Sequence, residues 1–287
     1  MQNKIPPIVL PKFELKREFD FRDQDFERIR QLIHKEAGIA LNPTKKDMVY
    51  GRLVRRIREL KLPTFAAYID FLQSLGGKRE FEQFVNALTT NLTFFFREEH
   101  HFHMLSTHLK TLAGKGEVAI WCAAASSGEE PYSIAMSALE AFPLGSKPPI
   151  HIIATDLDTS MLEVGRKGIY SEDKIAKLPA GYAGKYFDKL ADGHYQAKSV
   201  LRDMIQFSRL NLIDSNWGMR KQFDAIFCRN VMIYFDRDTQ FAVLKKFHPL
   251  IKPHGLLFVG HSENFYFASD YFTLKGKTVY ELSKPKQ

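Results

Sequence analysis

Between residues 23 and 88 the apolar positions recur at three- and four-residue steps, the spacing of one face of an α-helix. Phe26, Ile29, Ile33 and Ala37 form a first stripe, with Asp23 placed to cap it and Gly38 to stop it. Residues 45–60 set Leu53, Ile57 and Leu60 on one face and turn Arg52, Arg55, Arg56 and Arg58 mostly away from it. A third stripe over residues 64–75 carries Phe65, Tyr68, Ile69 and Leu72 and ends at Gly76-Gly77, and a fourth spans residues 79–88. The pattern predicts a small all-helical domain over residues 15–90.

After Thr90 the texture changes. Short apolar runs at 118–123, 150–155, 223–228 and 256–260 alternate with helical patterns at 130–142, 160–168 and 238–250. Strands alternating with helices predict βαβ units and a mostly parallel sheet, an α/β domain over residues 91–287. Residues 170–206 break that rhythm and hold Gly181, Gly184 and Gly193, which marks a small insertion. The stretch from Phe272 to Leu282 reads as a hairpin-like final strand.

Composition narrows the class. The chain has 287 residues, 24 of them Phe, so core material is plentiful, and its two cysteines rule out a disulfide framework or a four-thiolate zinc site. No apolar run reaches the ~18 residues that span a bilayer. Prolines interrupt the first twelve residues where a signal peptide carries its apolar stretch, so a cytoplasmic protein is expected. The net charge of +8 suits an acidic partner without choosing one.

Ligands of open parallel sheets bind beyond the carboxyl ends of the strands. Four such ends here are polar: the small-residue loop Cys122-Ala-Ala-Ala-Ser-Ser-Gly-Glu129-Glu130-Pro131, then Asp156-Leu-Asp158, Asn211-Leu212, and Arg229-Asn230 leading to Tyr234. The loop admits close backbone approach but is neither a GxGxxG fingerprint nor a Walker loop. Glu129 and Glu130 also suit simple compensation of a helix dipole. A carboxylate about 30 residues after such a loop is where Rossmann-like sites hold ribose hydroxyls, so loop and Asp156 together favour an adenosine-type cofactor. At the domain junction, Asn91-Leu-Thr93-Phe-Phe-Phe-Arg97-Glu98 fits neither helical nor strand periodicity; interdomain packing accounts for its phenylalanines, and Arg97 lies close to the ligand edge.

These segments, in this order and with Gly260-His261-Ser-Glu-Asn, resemble the chemotaxis receptor methyltransferases, the CheR family, over nearly the whole chain. The resemblance implies a Rossmann-like S-adenosylmethionine methyltransferase domain with a small all-α N-terminal domain and a small β insertion. It implies transfer of a methyl group from S-adenosylmethionine, leaving S-adenosylhomocysteine, to glutamate carboxylates of methyl-accepting chemotaxis receptors during sensory adaptation. Carried over by position, it assigns Asn91, Thr93, Arg97, Glu129, Asp156, Asn211, Leu212, Arg229 and Asn230 to the cofactor pocket. Asp156 would hold the ribose, Glu129 would lie against the cofactor, and Arg97 and Tyr234 would stand nearest the reacting centre. The insertion would grip a receptor tail.

The chemistry agrees with what the sequence lacks. A glutamate carboxylate, with an ordinary pKa near ~4.3, is already ionised at neutral pH, so no base must create the nucleophile. The reaction needs alignment and desolvation instead. Arg97 can orient a carboxylate through two donors and Tyr234 through one.

Arg52, Arg55, Arg56 and Arg58 offer an electrostatic dock for an acidic helical receptor, or else a solvated face. His100, His101, His103 and His108 cluster without a nearby Cys or Asp to complete a metal set, so no metal is expected, and Cys122 and Cys228 read as small packing residues. We take the protein to act as a monomer. The alternative reading is a nucleic-acid methyltransferase on the same cofactor fold. Against it, there is no Asn/Asp-Pro-Pro-Tyr segment, neither cysteine follows a proline, and the basic helix lacks interleaved exposed aromatics, so no nucleic-acid partner is expected.

Overall fold

A computed structural model describes residues 17–142 and 149–284. The proline-interrupted start and the first two residues of the 15–90 span lie outside the described residues.

The four predicted stripes form α1 (Asp23–Ala37), α2 (Lys46–Glu59), α3 (Phe65–Gln73) and α4 (Lys78–Leu88). Their apolar faces close on one another, with Ile29, Ile33, Leu53, Ile57, Phe65, Ile69 and Phe84 fully buried. Gly38 ends α1 in the left-handed region at φ 70°, as expected. Asp23 does not cap it. It is the first helical residue, and the capping contact is made by Asp25, whose carboxylate accepts from the Arg22 amide at 3.1 Å. Thr64 caps α3 by accepting from the Ala67 amide.

The second part begins with α5 (His100–Lys110), followed by β1 (Val118–Cys122), α6 (Glu129–Ala141), β2 (Ile150–Asp156) and α7 (Thr159–Lys167). The insertion contains β3 (Ile169–Tyr170), α8 (Glu172–Ile175), α9 (Tyr182–Tyr186), β4 (Phe187–Lys189), β5 (Tyr195–Ala197) and α10 (Ser199–Arg202). The main sheet then resumes with β6 (Ile205–Arg209), β7 (Phe223–Cys228), α11 (Arg237–Phe247), β8 (Ile251–Val259), β9 (Phe272–Gly276) and β10 (Val279–Leu282).

The seven-stranded sheet runs β6-β2-β1-β7-β8-β10-β9, and the insertion makes its own sheet in the order β3-β5-β4. The first five strands of the large sheet are parallel, while β10 pairs antiparallel with β8 and with β9. The tail is therefore a two-stranded hairpin. Every residue of β1 and β7 is buried, and all but Asp224 are apolar, as strands covered by helices on both faces require. Chain order reverses direction between β1 and β7, which opens a crevice at the strands' carboxyl ends. Register sets the crevice walls at one height, because Cys122 lies beside both Ala154 and Phe227.

The three junction phenylalanines do not pack between the two domains. Phe95 stacks edge-on against Tyr170 and Phe187 of the insertion, and Phe96 against Phe102 and Tyr182, while Phe94 is partly exposed. The apolar cover they need comes from the insertion and α5.

Candidate active site

The crevice is a cavity open to solvent at its mouth. Its walls come from the ends of four parallel strands, from the junction segment, and from Ala37 and Ile39 at the end of α1. The helical domain is thus one wall of the site. It is tied there by the Asn211 amide donating to the Glu36 carbonyl at 2.6 Å, and by the Ala40 amide donating to the Tyr234 carbonyl at 2.8 Å. His34 meets Asp236, the N-cap of α11, at 2.7 Å.

Of the residues predicted from the sequence, Asn91, Thr93, Arg97, Asp156, Asn211, Leu212, Arg229, Asn230 and Tyr234 all line this cavity. Glu129 does not. Gly128, left-handed at φ 98°, starts α6, and the next two residues diverge around the helix. Glu129 is fully buried on the insertion side, where it accepts from Lys174 Nζ at 2.5 Å and Ser127 Oγ at 2.6 Å. Its neighbour Glu130 reaches the cavity wall. A Cβ at residue 128 would meet the Tyr170 hydroxyl at 2.7 Å and Gly165 Cα at 2.8 Å, so the turn needs glycine for space as well as for φ.

Asp156 sits at the end of β2, and two amides hold its carboxylate: Ser126 N–H at 2.7 Å and Asp158 N–H at 2.9 Å. Burial pushes its carboxyl above the ordinary range against the opposing pull of those amides. Beside it, Ser126 adopts φ 46°, and its buried hydroxyl at the cavity wall has no partner among the described residues. Such an orphaned polar atom next to an acceptor-rich carboxylate suits a ligand bearing hydroxyls.

Arg229, at the cavity wall, also ties its neighbours together. Its guanidinium is fully buried and turned inward, donating to Glu130 at 2.7 Å and to the Arg97 carbonyl, with Glu98 at 3.3 Å. It positions the junction segment. Burial raises the Glu130 carboxyl, opposed by Arg229 and by the Cys122 thiol that donates to it at 3.2 Å. Cys122 therefore does more than pack, whereas Cys228 is a buried packing residue.

The Arg97 side chain is half-buried, donating to the Leu92 carbonyl at 2.8 Å. The residues on either side, Phe96 and Glu98, both have positive φ, so the chain turns sharply at this point. Asn230 also has positive φ. A residue that the spacing argument missed supports it: the buried Glu263 carboxylate accepts from the amides of Gly260, Asn230, Val231 and Met232. Its signal is the Gly260-His-Ser-Glu263 segment, but only the fold shows whose amides it caps.

The basic helix α2 also needs correction. Arg52 is committed to the end of α4, donating to the carbonyls of Leu88 and Thr89 at 3.0 and 2.7 Å. Arg56 makes a two-point pair with the buried Glu80. Only Arg55 and Arg58 present mainly exposed side chains, paired with Glu59 and Glu18.

Comparison with known proteins places this arrangement. Residues 91–280 match the family described as CheR methyltransferase, SAM binding domain, and residues 24–89 match its all-alpha domain. The chain belongs to the CheR methyltransferase family. It is 47% identical over 266 residues to the chemotaxis protein methyltransferase of Escherichia coli K12, covering 91% of this chain and 92% of that one. The chemotaxis protein methyltransferase of Salmonella typhimurium is also 47% identical, with 92% of each chain covered. Chemotaxis protein methyltransferase 2 of Pseudomonas aeruginosa is 43% identical, covering 92% of this chain and 95% of that one. The chain is an S-adenosylmethionine-dependent methyltransferase. The expectation of this family, cofactor and fold from the ordered strand-end motifs holds. No helix among the described residues is long and apolar enough to cross a membrane.

Proposed function

We propose that this methyltransferase esterifies glutamate side chains on the cytoplasmic helical bundle of chemotaxis receptors, acting as a monomer. The observation that carries the proposal is the single cavity in which the junction, Asp156, Asn211-Leu212, Asn230 and Tyr234 converge. When bound, S-adenosylmethionine supplies an electrophilic methyl group on a sulfonium. Asp156, with Ser126 beside it, accepts from the ribose hydroxyls. Asn91, Thr93, Asn211 and Asn230 complete the polar wall, and Leu212, Ile39 and Phe235 the apolar one.

Nothing in the site needs to act as a base. Both carboxylates at the cavity wall are already engaged, Asp156 by amides and Glu130 by Arg229 and Cys122. The acceptor glutamate arrives ionised. Arg97 and Tyr234 orient it and hold it away from water, and the enclosing walls supply the alignment that intramolecular reactions exploit. A light grip is required, because the acceptor's charge disappears on transfer and tight ground-state binding would slow the step.

Arg55 and Arg58 offer the receptor an exposed basic edge. The insertion offers a second contact: β4 is an outer strand of its sheet, and an extended receptor tail can add beside it through main-chain hydrogen bonds.

The test is incubation with methyl-labelled S-adenosylmethionine and receptor-containing membranes. Label released as methanol by mild base supports the ester. Base-stable, nuclease-sensitive label would overturn it in favour of a nucleic-acid substrate.

A further inference from the structure

One lysine of the insertion carries an unmatched charge. Residues 170–206 hold five lysines, and four of them meet a carboxylate: Lys174 meets Glu129, Lys185 Glu140, Lys189 Glu172 and Lys198 Asp188. Lys177, just past the end of α8, is exposed and has no carboxylate partner among the described residues. What its ammonium does meet is the ring of Phe94, 5.4 Å from the centroid. The Arg97 guanidinium lies against the same ring at 5.9 Å, and its hydrogen bond goes to the Leu92 carbonyl rather than to a carboxylate. An aromatic face attracts cations without neutralising them. Two uncompensated positive charges are therefore held at one ring.

The place of that ring decides what the charges can do. Leu92, Thr93 and Arg97 line the cavity, whereas Phe94, between them in the chain, and Lys177 do not. Phe94 is 37% exposed and Leu92 72%. Phe94 thus stands on the rim, and Lys177 reaches it from the insertion, outside the cavity. The backbone on either side of Lys177 is well anchored, since Ile175 is buried and Leu178 packs against the core of the large domain. Arg97 faces the cavity and serves the group that enters it; Lys177, one ring away, is placed for a group that stays outside.

We propose that Lys177 is a specificity-determining residue, pairing with a second acidic side chain of the substrate that flanks the glutamate entering the cavity. The inference rests on the glutamate-ester reading above and adds a means of choosing one glutamate among several. A carboxylate held at the rim keeps its charge throughout the reaction, so gripping it lowers KM without the penalty of a tight grip on the acceptor. Such uniform binding acts on KM and leaves kcat alone.

The test uses the full-length protein, methyl-labelled S-adenosylmethionine and receptor-containing membranes over a range of salt, reading methanol released by mild base. Lys177→Gln keeps the side chain's bulk and removes its charge. It should raise the receptor KM about fivefold, the upper range for one exposed ion pair, and flatten the salt dependence. Its kcat and its S-adenosylhomocysteine affinity should stay within about twofold of wild type. Lys177→Arg should keep the wild-type KM. A KM and salt slope unchanged in K177Q overturn the inference. So does a loss confined to kcat or to S-adenosylhomocysteine affinity, the result of a merely structural prop beneath Phe94. Wild-type protein that releases no methanol overturns the receptor reading and this inference together, whereas methanol release shared equally by wild type and K177Q overturns the inference alone.

Discussion

At the scale of single residues, the site separates groups that face the cavity from groups that hold those groups in place. Tyr234→Phe removes one donor from the wall without altering shape. We expect turnover to fall at least tenfold while S-adenosylhomocysteine affinity by calorimetry stays within about threefold; unchanged turnover would remove Tyr234 from the reaction. Asp156→Asn deletes a charged acceptor, and hydrogen bonds to charged groups contribute roughly 1.5–3 kcal/mol. The expected loss of cofactor affinity is about 10- to 150-fold, again read by calorimetry. Gly128→Ala asks a left-handed residue to place a Cβ 2.7 Å from the Tyr170 hydroxyl. It should lower the denaturation midpoint outright rather than touch affinity selectively.

Elements contribute through their ends. Asp236 is the N-cap of α11, accepting from the Thr239 amide at 2.9 Å while also meeting His34 of α1. That capping bond, then His34, lowers its pKa to about 2. Because the folded-state pKa lies below the ordinary ~3.9 of an unfolded aspartate, the stabilisation is complete above that value and is lost as pH falls towards 2. Asp236→Ala should cost about 1 kcal/mol at pH 7, the typical value of a lost cap, and the difference from wild type should shrink in urea titrations carried from pH 5 to pH 2.5. A difference independent of pH would contradict the assignment. The start of α6 teaches a related lesson. Two adjacent glutamates read alike in the sequence, yet one secures the insertion through Lys174 and the other reaches the cavity.

For the whole molecule, the helical domain is both a wall of the site and the carrier of the basic edge. Arg52 holds the end of that domain through the carbonyls of Leu88 and Thr89, so Arg52→Ala should reduce global stability by roughly 1.5–3 kcal/mol in chemical denaturation. Charge reversal at Arg55 and Arg58 should instead raise the receptor KM and flatten its salt dependence, leaving stability nearly unchanged, since exposed ion pairs contribute little. A KM and salt slope equal to wild type would retire the docking edge.

Much of this was legible in the chain itself. Helical periodicity located the four helices of the small domain, and short continuous apolar runs located β1, β2, β7 and β8 of the large one, because core-facing helix residues recur every 3.6 positions and strands covered on both faces are apolar throughout. The rule that parallel sheets bind ligands beyond their carboxyl ends gathers Asp156, Asn211, Asn230 and Tyr234 to one edge from the sequence alone. Local pattern could not tell which of two neighbouring charges faces the cavity, which arginines of α2 are committed inside, or which lysine of the insertion meets Phe94. Those outcomes depend on helix rotation and on backbone groups distant in sequence, which only long-range packing brings within hydrogen-bonding distance.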